Sequence, residues 1–130
     1  MNTYKLLLLL SFLLTLGSCD PVHSIKLENK TKDKIDLFYN HSGDIEITSP
    51  LEIKTVEIKG EKWNKLTLDS NQYIYIGQII ANYTPEPTDL TIEKLIVVFG
   101  SDTIYLRGKN AIYSTLYRAD KLDWRLTIKK

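Results

Sequence analysis

From Ser24 onward the chain repeats one pattern: short runs in which apolar and polar side chains alternate, each followed by a polar or glycine-bearing break. Alternation with a period of two puts successive side chains on opposite faces of a pleated strand, so each run predicts a strand with one buried face. Ile25 and Leu27 oppose Lys26 and Glu28, and Ile35, Leu37 and Tyr39 repeat the pattern after the polar run Lys30-Thr31-Lys32-Asp33. These two runs form either a hairpin or strands of separate sheets. Further runs lie at Ile45–Ile47, ended by Pro50, at 53–58 and 63–68 across a Gly60 turn, at 92–99 and 103–107 across Gly100-Ser101-Asp102, and at 124–128. The abundance of isoleucine, threonine and tyrosine suits half-buried pleated surfaces.

Two segments depart from simple alternation. In 72–81 both parities are apolar, which predicts a strand covered on both faces near the middle of the structure. In 111–119, Ile112 with Leu116 and Tyr113 with Tyr117 repeat at i, i+4 after Asn110, a fair N-cap, so a short helix competes there with another strand. About eight strands at this spacing predict an all-β fold, an antiparallel β-sandwich of immunoglobulin-like type, with a small barrel as the alternative. No repeat or second domain boundary interrupts residues 24–130.

The N-terminus is different in kind. Lys5 precedes an apolar run from Leu6 to Leu16, shorter than the ~20 residues a membrane-crossing helix needs but suited to the core of a signal peptide. The run ends in Leu16-Gly17-Ser18-Cys19, which resembles the lipobox of bacterial lipoproteins. That resemblance implies cleavage between Ser18 and Cys19 and acylation of the Cys19 sulfur, with two or three chains anchoring the protein far more firmly than one. Residues 1–18 would then be the signal peptide, 19–23 a lipidated tether and 24–130 the folded domain. Asp20 is similar to an inner-membrane retention signal, and the acidic cluster associated with surface export in the Bacteroidota is missing. The side of the membrane stays open.

The opening Ile25-x-Leu27-x-Asn29-x-Thr31-x-x-x-Ile35 and the later VVFGSDTIYL (97–106), joined to the lipobox, resemble small β-sandwich lipoproteins of the Bacteroidota. Asp102-Thr103-Ile104 is similar to the short O-glycosylation pattern of that group, which implies a modification at Thr103.

Composition narrows the function classes. Hydrophobic residues make up 43% and charged residues 25%, as in ordinary globular domains. The 17 basic residues against 16 acidic ones leave a net charge of only +1, too little to neutralise a nucleic-acid backbone. A single cysteine excludes an intramolecular disulfide and a Cys-rich zinc site. Beyond the signal segment the only histidines are His23, in the tether, and His41, in a polar stretch that reads as a turn. The pairs Glu46/Glu52 and Asp120/Asp123 read as solvated strand and loop faces rather than as the acid pair of a glycosidase. No catalytic motif occurs, and neither an enzyme nor a metal or cofactor is expected.

Binding is the expected activity. The first expectation is a lipid-anchored envelope module that binds another envelope protein or complex. The second is a glycan-binding module whose rings come from Trp63, Tyr73, Tyr75, Tyr83 and Tyr105; core packing competes for the same residues. The third is an inhibitor or immunity lipoprotein with a protruding loop at Thr84–Asp89.

Overall fold

A computed structural model of the chain describes residues 22–41, 51–80, 83–120 and 123–129. The signal peptide with Ser18 and Cys19, the run at Ile45–Ile47 with Glu46, and the polar stretch after His41 lie outside the described residues.

Among the described residues, nine strands form two sheets that enclose an aliphatic core. They are β1 (Val22–Asn29), β2 (Ile35–His41), β3 (Lys54–Ile58), β4 (Glu61–Leu68), β5 (Tyr73–Ile80), β6 (Ile92–Phe99), β7 (Asp102–Arg107), β8 (Tyr117–Asp120) and β9 (Asp123–Ile128). A 3-10 turn (Pro87–Asp89) precedes β6, and helix α1 (Lys109–Tyr113) links β7 to β8. The four-stranded sheet has the order β5-β1-β9-β8 and the five-stranded sheet β3-β4-β2-β6-β7. The predicted two-sheet, mostly-β arrangement is therefore present. Val22 and His23, expected in the tether, already pair with Ile80 and Ile79 in β1.

Alternation places the core. Ile25 and Leu27 of β1, Ile35, Leu37 and Tyr39 of β2, Leu66 and Leu68 of β4, and Leu95 and Val97 of β6 all point inward and are almost fully buried. At ~25 cal/mol per Å² of apolar surface, each such aliphatic side chain contributes on the order of 2 kcal/mol against the entropy of ordering the chain.

The β3–β4 hairpin closes in two residues, not four: Ile58 pairs with Glu61. Lys59 and Gly60 both take positive φ, 52° and 81°, the combination that matches the twist of a two-residue hairpin. The β6–β7 hairpin is likewise tighter than expected, with Phe99 opposite Asp102 across Gly100-Ser101.

Three expectations are corrected and one open alternative is decided. The sheets are not wholly antiparallel, because β1 and β9 pair in parallel, Ile25 beside Trp124 through Asn29 beside Ile128. Nearly the whole chain separates these strands, so no short connection dictates their direction. Of the two arrangements expected for β1 and β2, a hairpin or strands of separate sheets, the second is present. The Asn29 side chain organises the crossing: its amide donates to the carbonyls of Asp33 (2.8 Å) and Leu68 (3.1 Å), and its oxygen accepts from the Thr31 N–H (2.9 Å).

The second correction is that β5 lies at a sheet edge rather than in the middle. Its two apolar parities come from a bulge: Ile25 faces Gly77 and Lys26 faces Tyr75, leaving Ile76 as the extra residue. Ile74 points inward before the irregularity, Ile76 within it and Ile79 after it, while Ile80 is exposed. The edge is shielded by the segment after the 3-10 turn, where Leu90 bridges to Gly77 and the Thr91 N–H donates to the Ile76 carbonyl at 2.9 Å. Finally, the helix covers 109–113 instead of 111–119. Ile112 is its one buried residue, and the chain beyond it gains ladder hydrogen bonds by pairing β8 with β9.

Candidate binding surface

The outward parity of the five-stranded sheet is unusually apolar for a face turned to solvent. Register sets Lys65, Phe38, Ile96 and Tyr105 in one row across β4, β2, β6 and β7. The next row toward the Gly100 turn holds Thr67, Asp36, Val98 and Thr103. Toward the other end, Asn40 lies beside Lys94 and Lys94 beside Arg107, while Trp63 lies opposite Val56 and Glu61 opposite Ile58 on the two edge-side strands. Phe38, Ile58, Trp63, Ile96, Val98 and Tyr105 thereby line a cleft of about 510 Å³, with Lys59, Glu61, Lys94, Thr103 and Arg107 around it.

Charge and aromatic rings are interleaved in this cleft. The Lys94 ammonium is bound to both Glu61 oxygens, at 3.0 and 3.1 Å, and lies 6.0 Å from the centroid of the Trp63 ring. Lys65 lies 5.3 Å from the centre of Phe38 and 3.0 Å from Asp36. Trp63 is only 8% exposed although it points away from the core, and its Nε1–H is buried with no acceptor among the described residues. An indole N–H without a partner forgoes ~1 kcal/mol or more. Tyr105, by contrast, is 61% exposed.

Burial tends to raise the Asp36 carboxyl, but hydrogen bonds from Thr67 and Lys65 and the Lys65 charge outweigh it and hold the group below its ordinary value.

Of the residues predicted for a ligand platform, Trp63 and Tyr105 line this cleft, with Thr103 exposed beside them. Tyr73 and Tyr75 lie on the outer face of the other sheet, packed edge to face with centroids 5.6 Å apart and Lys26 5.1 Å from the Tyr73 ring. Tyr83 stands 75% exposed between β5 and the 3-10 turn. The five rings are therefore divided, and no single platform unites them. Phe38, Ile96 and Val98 were absent from the predicted set. Their signal was in the sequence, since each has the opposite parity to a core residue of its own strand.

The Thr84–Asp89 segment does not protrude. Pro85 and Leu90 are buried, and the Asp89 carboxylate accepts from the Glu86 N–H at 2.7 Å to fold the segment on itself.

The outer face of the four-stranded sheet carries an ionic network instead of an apolar cleft. Glu28, nearly buried, pairs with Lys30 at 2.8 Å and with Arg125 at 3.1 Å. Arg125 also donates to Asp123 through Nε at 2.9 Å and through Nη2. The Arg125 hydrogen bonds hold the Asp123 carboxyl below its ordinary range against its partial burial, and the same bonds raise the guanidinium further. A cleft of about 330 Å³ beside them is lined by Val22, His23, Ser24, Lys26, Tyr75, Asp120 and Asp123. Among the described residues no group of three or more His, Cys, Asp or Glu side chains could hold a metal ion.

A depressed carboxyl stabilises the fold above its unfolded pKa, and that contribution disappears as pH falls through the folded value. Asp123→Asn should therefore cost up to ~1 kcal/mol at pH 7, as expected of a partly exposed pair. The gap between variant and parent melting temperatures should close on acidification below about pH 4. A gap that stayed constant down to about pH 2 would remove the charge pair as its cause.

No protein-family model matches the chain, and no curated protein or solved structure is similar to it.

Proposed function

We propose that the protein is a non-enzymatic, lipid-anchored module of the bacterial cell envelope that binds another envelope protein through the outer face of its five-stranded sheet. The observation that carries this reading is the cleft around Phe38, Trp63, Ile96 and Tyr105, an apolar centre with a charged rim on the outward face of the sheet. Such a centre and rim is the ordinary anatomy of a protein interface, with aromatic residues and arginine as its anchors. An apolar side chain of the partner would fill the cleft. A partner carboxylate would meet Arg107, which has no ion-pair partner among the described residues. The lipobox at Leu16–Cys19 supports the anchor, and the immunoglobulin-like reading of the sandwich suits a module of this kind.

One observation favours glycan binding as a second reading: Tyr105 offers an exposed ring beside Thr103. Sugar stacking would draw little from Trp63, whose ring is covered.

The test is a photo-crosslinking residue placed at Tyr105 of the acylated protein in intact cells, with the same residue at Lys32, in the link between the sheets, as control. A discrete protein adduct at position 105, absent at 32 and lost in an Ile96→Asp variant, is the expected result. Equal labelling at both positions would refute the surface. Retention of the tyrosine form on a glycan matrix, with no protein adduct, would instead select the second reading.

A further inference from the structure

We propose that the corner of the four-stranded sheet formed by Val22 and Ile80 is a membrane-contact surface, so that the anchored domain rests on the bilayer instead of hanging from a free tether. The proposal rests on the reading of Cys19 as the acylated residue. Val22 and Ile80 are register partners in the antiparallel β1–β5 ladder, so their side chains lie side by side on the outer face. They are 59% and 63% exposed, the two most exposed aliphatic side chains among the large hydrophobics of the described strands. Tyr83, 75% exposed, follows Ile80 by three residues.

Chain length identifies the occupant. Only Asp20 and Pro21 separate Cys19 from Val22, and three Cα steps reach at most ~11 Å. Acyl chains on Cys19 therefore bring Val22 to the depth of the headgroups, where apolar side chains enter by roughly 5–10 Å and tyrosine is favoured. A partner protein would have to fit into a gap narrower than a small domain. Nearby charges are mixed, with Lys26 beside Asp120 and Asp123 in the adjoining cleft. The contact is accordingly apolar in origin and should not depend on anionic lipid. It also turns the cleft of the five-stranded sheet, on the opposite face of the sandwich, away from the bilayer.

The chain has one cysteine, and acylation consumes it, so an introduced cysteine is the only free thiol. Nitroxide labels at Ile80→Cys, Tyr83→Cys and Ser101→Cys in the full acylated protein, in phosphatidylcholine vesicles, would report contact directly. Labels at 80 and 83 should lose accessibility to a water-soluble nickel chelate by about tenfold relative to oxygen, with 101 unchanged. Adding Val22→Ser and Ile80→Ser, both at exposed positions, should restore accessibility at 83 while the protein stays vesicle-bound. An acylated chain whose position 80 is as wet as 101 would overturn the contact alone. An intact mass without acyl chains would overturn the lipobox reading, and the membrane seat with it.

Discussion

Gly77→Ala is expected to lower folding stability by about 3 kcal/mol, at the upper end for overpacking, because the obstacle is backbone rather than a side chain that could rotate away. A Cβ at this position would lie 2.4 Å from the Asp89 carbonyl oxygen and 3.0 Å from Ile25 Cδ1. Where space exists, Gly→Ala gains roughly 0.4–1 kcal/mol by restricting the unfolded chain. Here the carbonyl must retreat, and with it the Leu90 bridge and the Thr91 hydrogen bonds that cover the β5 edge. In a domain of this size the loss should appear as a fall in melting temperature of about 10–20 °C. Gly60→Ala separates sterics from backbone conformation: that glycine has φ 81° but nothing within 4 Å of an added Cβ. It should cost only about 1 kcal/mol. Equal melting temperatures for the two variants would dismiss the close approach at Gly77.

Asn29→Ala should be comparably damaging, at ~3 kcal/mol or more, since each buried group left unpaired costs ~1–3 kcal/mol. The side chain is fully buried and serves three partners outright: the carbonyls of Asp33 and Leu68 and the N–H of Thr31. The Thr31 hydroxyl lies 2.8 Å from both Asn29 Oδ1 and the Asp33 carbonyl, so its one proton serves either acceptor. Asn29→Asp keeps the shape but turns a donor into an acceptor facing two carbonyl oxygens, and it buries a charge. It should melt at least as low as the alanine variant at pH 7 and recover part of the loss as pH falls toward about 4, because burial among carbonyl oxygens raises the carboxyl and makes it take up its proton above its ordinary range. An aspartate variant as stable as the parent at neutral pH would show that the amide's donors are dispensable.

These two residues show where sequence reading reaches its limit. Asn29 looks like the end of a strand and Gly77 like a gap in an apolar one. Their weight comes from partners distant in sequence, Leu68 for the first and Asp89 for the second. The apolar double parity of 72–81 has the same origin. A strand covered on both faces and a bulged edge strand leave the same residues in the sequence, and only pairing with β1 separates them. The outer-face cleft was half legible: the parity of Trp63 against Leu66 and Leu68 puts it outside the core, whereas its burial depends on what lies across β4.

What the sequence determined by itself is local. Alternation set the strands and their inward faces, Gly60 and Gly100 marked the turns though not their two-residue length, and the N-terminal run ending in Cys19 carried the lipobox reading. Tertiary structure alone decided which strands are neighbours, the parallel pairing of β1 with β9, the shielded edge at Gly77 and the separation of the tyrosines onto opposite faces. The division is physical. Side-chain periodicity and turn geometry act over a few residues, whereas strand order depends on the mutual fit of two sheets whose contacting residues lie far apart in the chain.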